Sequence, residues 1–169
     1  NKDYTHAQPK QIFLNNRNGT FRELLPEQIG DANRPSVGRG AAFGDLDNDG
    51  DIDAVIANNN EPANLLIRDG TPNGNWIGFF LIGVKSNYDA IGTRLVIKTD
   101  EMNQVKFVTT AGSYLAANDK RLLFGLNHYV SVDKASIYWP SGTTDNFTNL
   151  RINRYYRIKE GGSISVIHY

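Results

Sequence analysis

The sequence predicts an all-β chain, in which one propeller-blade-like repeat precedes an antiparallel β-sandwich or barrel domain. Sixteen glycines and recurrent Asn-Gly and Asp-Gly pairs punctuate it with tight turns. Between them lie short runs rich in Val, Ile, Phe and Tyr, several alternating with period two. No stretch carries a sustained helical period.

Residues 1–10 read as an N-terminal arm or linker. Residues 11–74, rich in Asn, Asp and Gly, read as the repeat, and their strongest apolar run, Ala54 to Ala57, reads as a strand. "LNNRNG" at 14–19 and "LLIRDG" at 65–70 echo each other at a spacing of 51 residues. A period near 50 lies in the range of propeller blades. The chain would then hold the end of one repeat and the whole of the next, whereas a propeller needs at least about four blades to close. Either further repeats precede it, or the unit packs against the C-terminal domain or another subunit. The absence of a starting methionine suggests a processed product or an excerpt.

Residues 75–169 form the second unit, with eight regularly spaced runs. They are Trp76 to Ile82, Gly92 to Thr99, Gln104 to Thr110, Arg121 to Leu126, Lys134 to Trp139, Thr143 to Leu150, Tyr155 to Lys159 and Ser163 to His168. Leu95 and Ile97 oppose Arg94, Val96 and Lys98, while Leu122, Phe124 and Leu126 share a face. This spacing is that of a sandwich or barrel of about eight strands.

Composition removes several function classes. With 18 basic and 18 acidic residues, the chain lacks the basic field of a nucleic-acid binder. Without cysteine it has no disulfide, thiolate metal site or cysteine nucleophile. No apolar run approaches a membrane span. His6, His128 and His168 lack metal-ligand spacing. "GRGAAFG" at 38–44 is not a dinucleotide-binding fingerprint and runs into acidic residues that would repel a pyrophosphate, so its glycines are expected to serve close strand packing. Asn18-Gly-Thr and Asn146-Phe-Thr are possible glycosylation sequons and mark exposed loops. Arg154 and Arg157, flanking Tyr155 and Tyr156, read as guards on an edge strand.

The charge is concentrated in "GDLDNDGDID", residues 44–53. Calcium takes six to eight oxygens, and alternate residues of one loop can supply them. Asp45, Asp47 and Asp49 occupy positions 1, 3 and 5, Gly50 the turning position 6, the Asp51 carbonyl position 7, and Asp53 position 9. The first nine positions of an EF-hand loop are matched; position 12 is Ile56 rather than Glu, and Asp53-Ala-Val-Ile-Ala reads as a strand. The expectation is a calcium loop in a β context, closed by Asp53. A bare acidic turn must instead tolerate repulsion on the order of 1 kcal/mol per close pair, and magnesium favours fewer carboxylates.

"NNRNGTF", "GRGAAFGDLDNDGDIDAVIAN" and "NLLIRDG" together resemble the FG-GAP or VCBS-type calcium-binding repeat of integrin-like propellers. "NWIGFFLIGVKSNYDAIGTRLVIKT", "GSYLAANDKRLLFGL", "VDKASIYWPSG" and "YYRIKEG" resemble the ASPIC/UnbV domain of cartilage-acidic-protein-like secreted proteins. The resemblance implies a secreted or surface-exposed, non-catalytic calcium-binding module with a structural or adhesive role and a protein partner. Two alternatives accompany it. The chain is the protomer of an extracellular filament or layer, donating residues 1–15 as a strand to a neighbour, or it is a carbohydrate-binding module with Trp139 and Tyr156 stacking on a glycan, although Trp139, following Ala135 and Ile137 on one strand face, is expected in the core.

Overall fold

The structure, a computed structural model, describes residues 6–16, 18–68 and 74–169. Phe13–Asn15 (β1) and Phe21–Glu23 (β2) form an antiparallel hairpin. Two short 3-10 turns, Pro26–Gln28 and Gly30–Asn33, follow. Gly38–Gly44 (β3), Asp53–Asn58 (β4) and Asn64–Leu66 (β5) then form a three-stranded sheet in that order. The apolar run after the aspartates is therefore its central strand, and the aspartates form the turn that enters it.

The segment expected as a donated strand is engaged within its own chain. Gln8 bridges Ser36, Lys10 N donates to Ala32 O at 3.0 Å, and β1 pairs with β2. Residues 1–5 of that segment lie outside the described residues. So do Arg17, Asp69 and Gly70 of the two echoing stretches.

The C-terminal unit contains Asn75–Ile82 (β6), Arg94–Lys98 (β7), Asn103–Phe107 (β8), Ala111–Ser113 (β9), Ala116–Ala117 (β10), Leu122–Asn127 (β11), Ser131–Tyr138 (β12), Thr144–Arg151 (β13), Tyr155–Lys159 (β14) and Ser163–Ile167 (β15). All eight predicted runs are strands. The β9–β10 hairpin is additional, its segments too short and small to carry a periodic signal. Two four-stranded sheets, β11-β6-β14-β15 and β13-β12-β7-β8, enclose the core, and no barrel closes. Ile77, Phe79, Phe124 and Ile158 from one sheet meet Leu95, Ile97, Val132 and Ile137 from the other, all fully buried. Each contributes about 1.5–3 kcal/mol by leaving water, and Phe79 adds an edge-on contact to Phe124 at 5.9 Å.

The sandwich is antiparallel as expected except at one pairing, where β14 runs parallel with β6. One expectation is corrected by it. The pairing places β14 between β6 and β15, so Arg154 and Arg157 do not guard an edge. Arg157 instead lies over the Phe80 ring at 5.9 Å, and Arg154 Nε donates to Ile152 O at 3.2 Å.

The three-stranded sheet packs on the sandwich through β3. Ala41 N donates to Ser113 Oγ at 3.3 Å, Phe43 N to Asn118 Oδ1 at 3.0 Å, and Asp119 N to Phe43 O at 2.9 Å. A Cβ on Gly40 would stand 2.4 Å from Tyr114 O, and one on Gly44 would stand 2.8 Å from Asp119 Cβ. Gly40 and Gly44 of "GRGAAFG" therefore permit this close approach.

Candidate metal centre

The aspartate loop is wound by its own backbone. Asn48 and Gly50 take left-handed φ values of 66° and 96°, which Asn tolerates and Gly adopts freely. These kinks aim successive N–H groups at side-chain oxygens. Asp49 N donates to Asp45 Oδ1 at 3.1 Å and to Asp47 Oδ1 at 3.3 Å, Gly50 N to Asp45 Oδ2 at 2.9 Å, and Asp51 N to Asp49 Oδ1 at 2.8 Å. Oxygens of Asp45, Asp47 and Asp49 lie within 4.8 Å of one another.

Asp51 and Asp53 are engaged differently. Asp51 Oδ1 pairs with Arg68 Nη1 at 2.6 Å, while its Oδ2 is buried without a partner among the described residues. Asp53 accepts from Leu46 N at 2.8 Å and from Arg68 N at 2.9 Å, tying the start of the loop to the chain beyond β5. Both Asp45 and Asp53 are only 1% exposed, Asp47 is exposed and Asp49 is half-buried.

The electrostatics are one-sided. Among the described residues, Asp51 alone of the five has an ion-pair partner. Loss of hydration, aided by repulsion from Asp49, Asp53 and Asp45, raises the Asp47 pKa, although the Asp49 N–H opposes it. Loss of hydration also raises that of Asp51, with Arg68 opposing and the neighbouring aspartates adding. The donors are all hard oxygens on one short loop, and a buried carboxylate oxygen, Asp51 Oδ2, lacks a partner among the described residues. This set fits calcium.

Sequence reasoning missed the residues that reach this loop from the sandwich. Tyr155 OH donates to Asp45 Oδ2 at 2.7 Å across 110 positions. Arg121 Nη1 donates to Asn48 Oδ1 at 2.5 Å, and Nη2 donates to the Asp45 carbonyl. Arg121 Nε is held by Asp119 Oδ2 at 2.6 Å. Burial, then the hydrogen bond to Asp45 and its charge, push the Tyr155 pKa far up and keep the hydroxyl a donor. Burial works against the Arg121 charge, but the Asp119 contact outweighs it and raises that pKa. Trp76 completes the contact, its ring lying against Gly50. Nothing local in the sequence signals these partners, beyond the need of a buried tyrosine hydroxyl for an acceptor.

The other expected positions are dispersed. Asn18 is exposed in the β1–β2 turn and accepts from Thr20 N at 3.1 Å. Asn146 is exposed but lies on strand β13, not in a loop, and accepts from Ser136 Oγ at 2.8 Å. Trp139 is 4% exposed and Tyr156 7%, both in the core, with Trp139 Nε1 donating to Asp145 Oδ2. Neither can stack on a sugar ring, which corrects the residue assignment of the carbohydrate alternative.

Comparison with protein families finds two modules in the chain. Residues 5–56 match the FG-GAP-like repeat and residues 83–165 match the ASPIC and UnbV domain. The order is that of the resemblance read from the sequence. No curated protein matches the chain.

Proposed function

We propose that this chain, an FG-GAP-like repeat followed by an ASPIC and UnbV domain, is a secreted or cell-surface structural and adhesive module whose repeat holds one calcium ion. The observation that carries this reading is the grouping of Asp45, Asp47 and Asp49 oxygens within 4.8 Å without a cationic partner among the described residues. The carboxylates of Asp45, Asp47, Asp49 and Asp53, with the Asp51 carbonyl, are the ligands. The ion supplies the positive charge that lets these groups remain ionised together, so binding contributes folding free energy.

A non-catalytic role follows the general character of both modules. A protein partner is favoured by the exposed apolar side chains of the repeat, where Phe13, Phe21, Leu25 and Leu65 are each more than half exposed. Among the described residues, no helix is long and apolar enough to cross a membrane.

Thermal melts in calcium, in magnesium and in chelator test the metal reading. At free calcium about 100 times Kd, linkage gives about 2.7 kcal/mol of stabilisation, a rise in Tm of roughly 5–10 °C for a chain of this size. The rise should be calcium-selective and absent in Asp49→Ala. Coincident melts in all three buffers, with calorimetry showing no retained calcium, would sink the reading.

A further inference from the structure

We infer that Tyr155 and Arg121 are positioning residues of the calcium site, so that the ion is bound by the repeat and the sandwich acting together. This inference rests on the calcium reading and extends it to the second unit.

Asp45 heads the loop, and its carboxylate offers about four lone pairs. Three are committed, to Asp49 N, Gly50 N and Tyr155 OH. The tyrosine is the one non-loop donor among them. It is 2% exposed and wedged between Trp76 at 5.1 Å and Tyr169 at 5.8 Å between ring centroids, so its hydroxyl has little freedom to leave. It therefore fixes which lone pair of Asp45 remains for a cation.

Arg121 acts on the backbone. Its guanidinium joins the Asp45 carbonyl to the Asn48 side chain, bridging the first and fourth residues of the loop. It lies 4.7 Å from the Tyr155 ring centre and donates to Tyr169 OH at 2.9 Å. Asp119, which anchors it, also donates its own N–H to Phe43 O on β3. The loop shape and the docking of the two units thus depend on the same residues.

Two consequences follow. Loosening these groups weakens calcium binding, because partners that orient ligands typically contribute 10–100-fold in affinity. By reciprocity, calcium strengthens docking by the same factor by which docking strengthens calcium binding.

The test is calorimetric titration of calcium into the full chain as wild type, Tyr155→Phe, Arg121→Lys and Glu160→Gln. The last alters the sandwich at a site whose hydrogen bonds involve no loop residue, and so controls for general destabilisation. The expected result is a Kd raised about tenfold in Tyr155→Phe and in Arg121→Lys, with Glu160→Gln within about twofold of wild type. Calcium should also slow hydrogen exchange at the Asp119 and Phe43 amides of wild type, and less so in the two positioning variants. Wild-type affinity in both variants, or an equal loss in Glu160→Gln, overturns the inference and leaves the calcium reading standing. Failure of wild type itself to bind calcium removes both.

Discussion

Gly50→Ala is expected to lower stability by about 3 kcal/mol, a fall in Tm of roughly 6–12 °C. Two causes add. Alanine at a φ of 96° is strained by about 1–2 kcal/mol. Its Cβ would also lie 2.2 Å from two atoms of the Trp76 ring, too close for contact. Trp76 is 9% exposed and packed with Leu123 and Tyr155, so it can move only by disturbing the contact that carries Asp45. Forcing atoms into such a packed site costs about 1–3 kcal/mol. Gly161→Ala is the companion measurement, since Gly161 has a φ of 95° with nothing within 4 Å of an added Cβ. Its cost should be the backbone part alone, about 1–2 kcal/mol. Equal losses in the two variants would show that Trp76 does not press on the loop.

This comparison also marks how far the sequence could be read. Period-two alternation located Leu95, Ile97, Leu122, Phe124 and Leu126 on buried faces, and all five are core residues. Alternation reports burial directly, which is why the buried faces of β7 and β11 were legible; β3, seven residues long but rich in glycine, carries no such signal and is not read as a strand. Chain order carries no such information about neighbours in a sheet. The parallel pairing of β14 with β6 therefore went unseen, and Arg157 was assigned to an edge it does not occupy.

The aspartate loop shows the same boundary. Spacing singled out Asp45, Asp47 and Asp49 as a group, and their oxygens do lie within 4.8 Å of one another, because side chains on one short loop obey a local rule. Tyr155, Arg121 and Trp76 converge on that loop from β14, from the residue before β11 and from β6. Their roles depend on how the blade docks, a property of the tertiary fold. Trp139 shares a strand face with Ala135 and Ile137, which favours the core over a sugar-stacking role, and it lies in the core.

Glu160→Leu is expected to cost on the order of 4 kcal/mol, because it removes the charged acceptor of three backbone N–H groups and two serine hydroxyls. Glu160 is 7% exposed and follows β14 directly. Its Oε2 accepts from three consecutive backbone N–H groups, Val84 and Lys85 at 2.7 Å and Ser86 at 2.8 Å. Oε1 accepts from Ser86 Oγ at 3.1 Å and from Ser141 Oγ. One carboxylate thus holds the turn after β6 and the turn after β12 to the end of β14. Glu160→Gln keeps an acceptor but not the charge, and should cost about 2 kcal/mol. Burial alone would raise the Glu160 pKa; the hydrogen bonds from Ser141, Ser86, Val84 and Lys85 outweigh it and lower the value from 4.5 to about 2. A carboxylate depressed in the folded state contributes its full stability above the unfolded value. That contribution should fade as pH falls from 4.5 toward 2, and wild type should lose stability over this interval faster than Glu160→Gln. Urea melts of both proteins across the interval would decide it: parallel pH profiles would mean that the three N–H groups do not hold an ionised carboxylate.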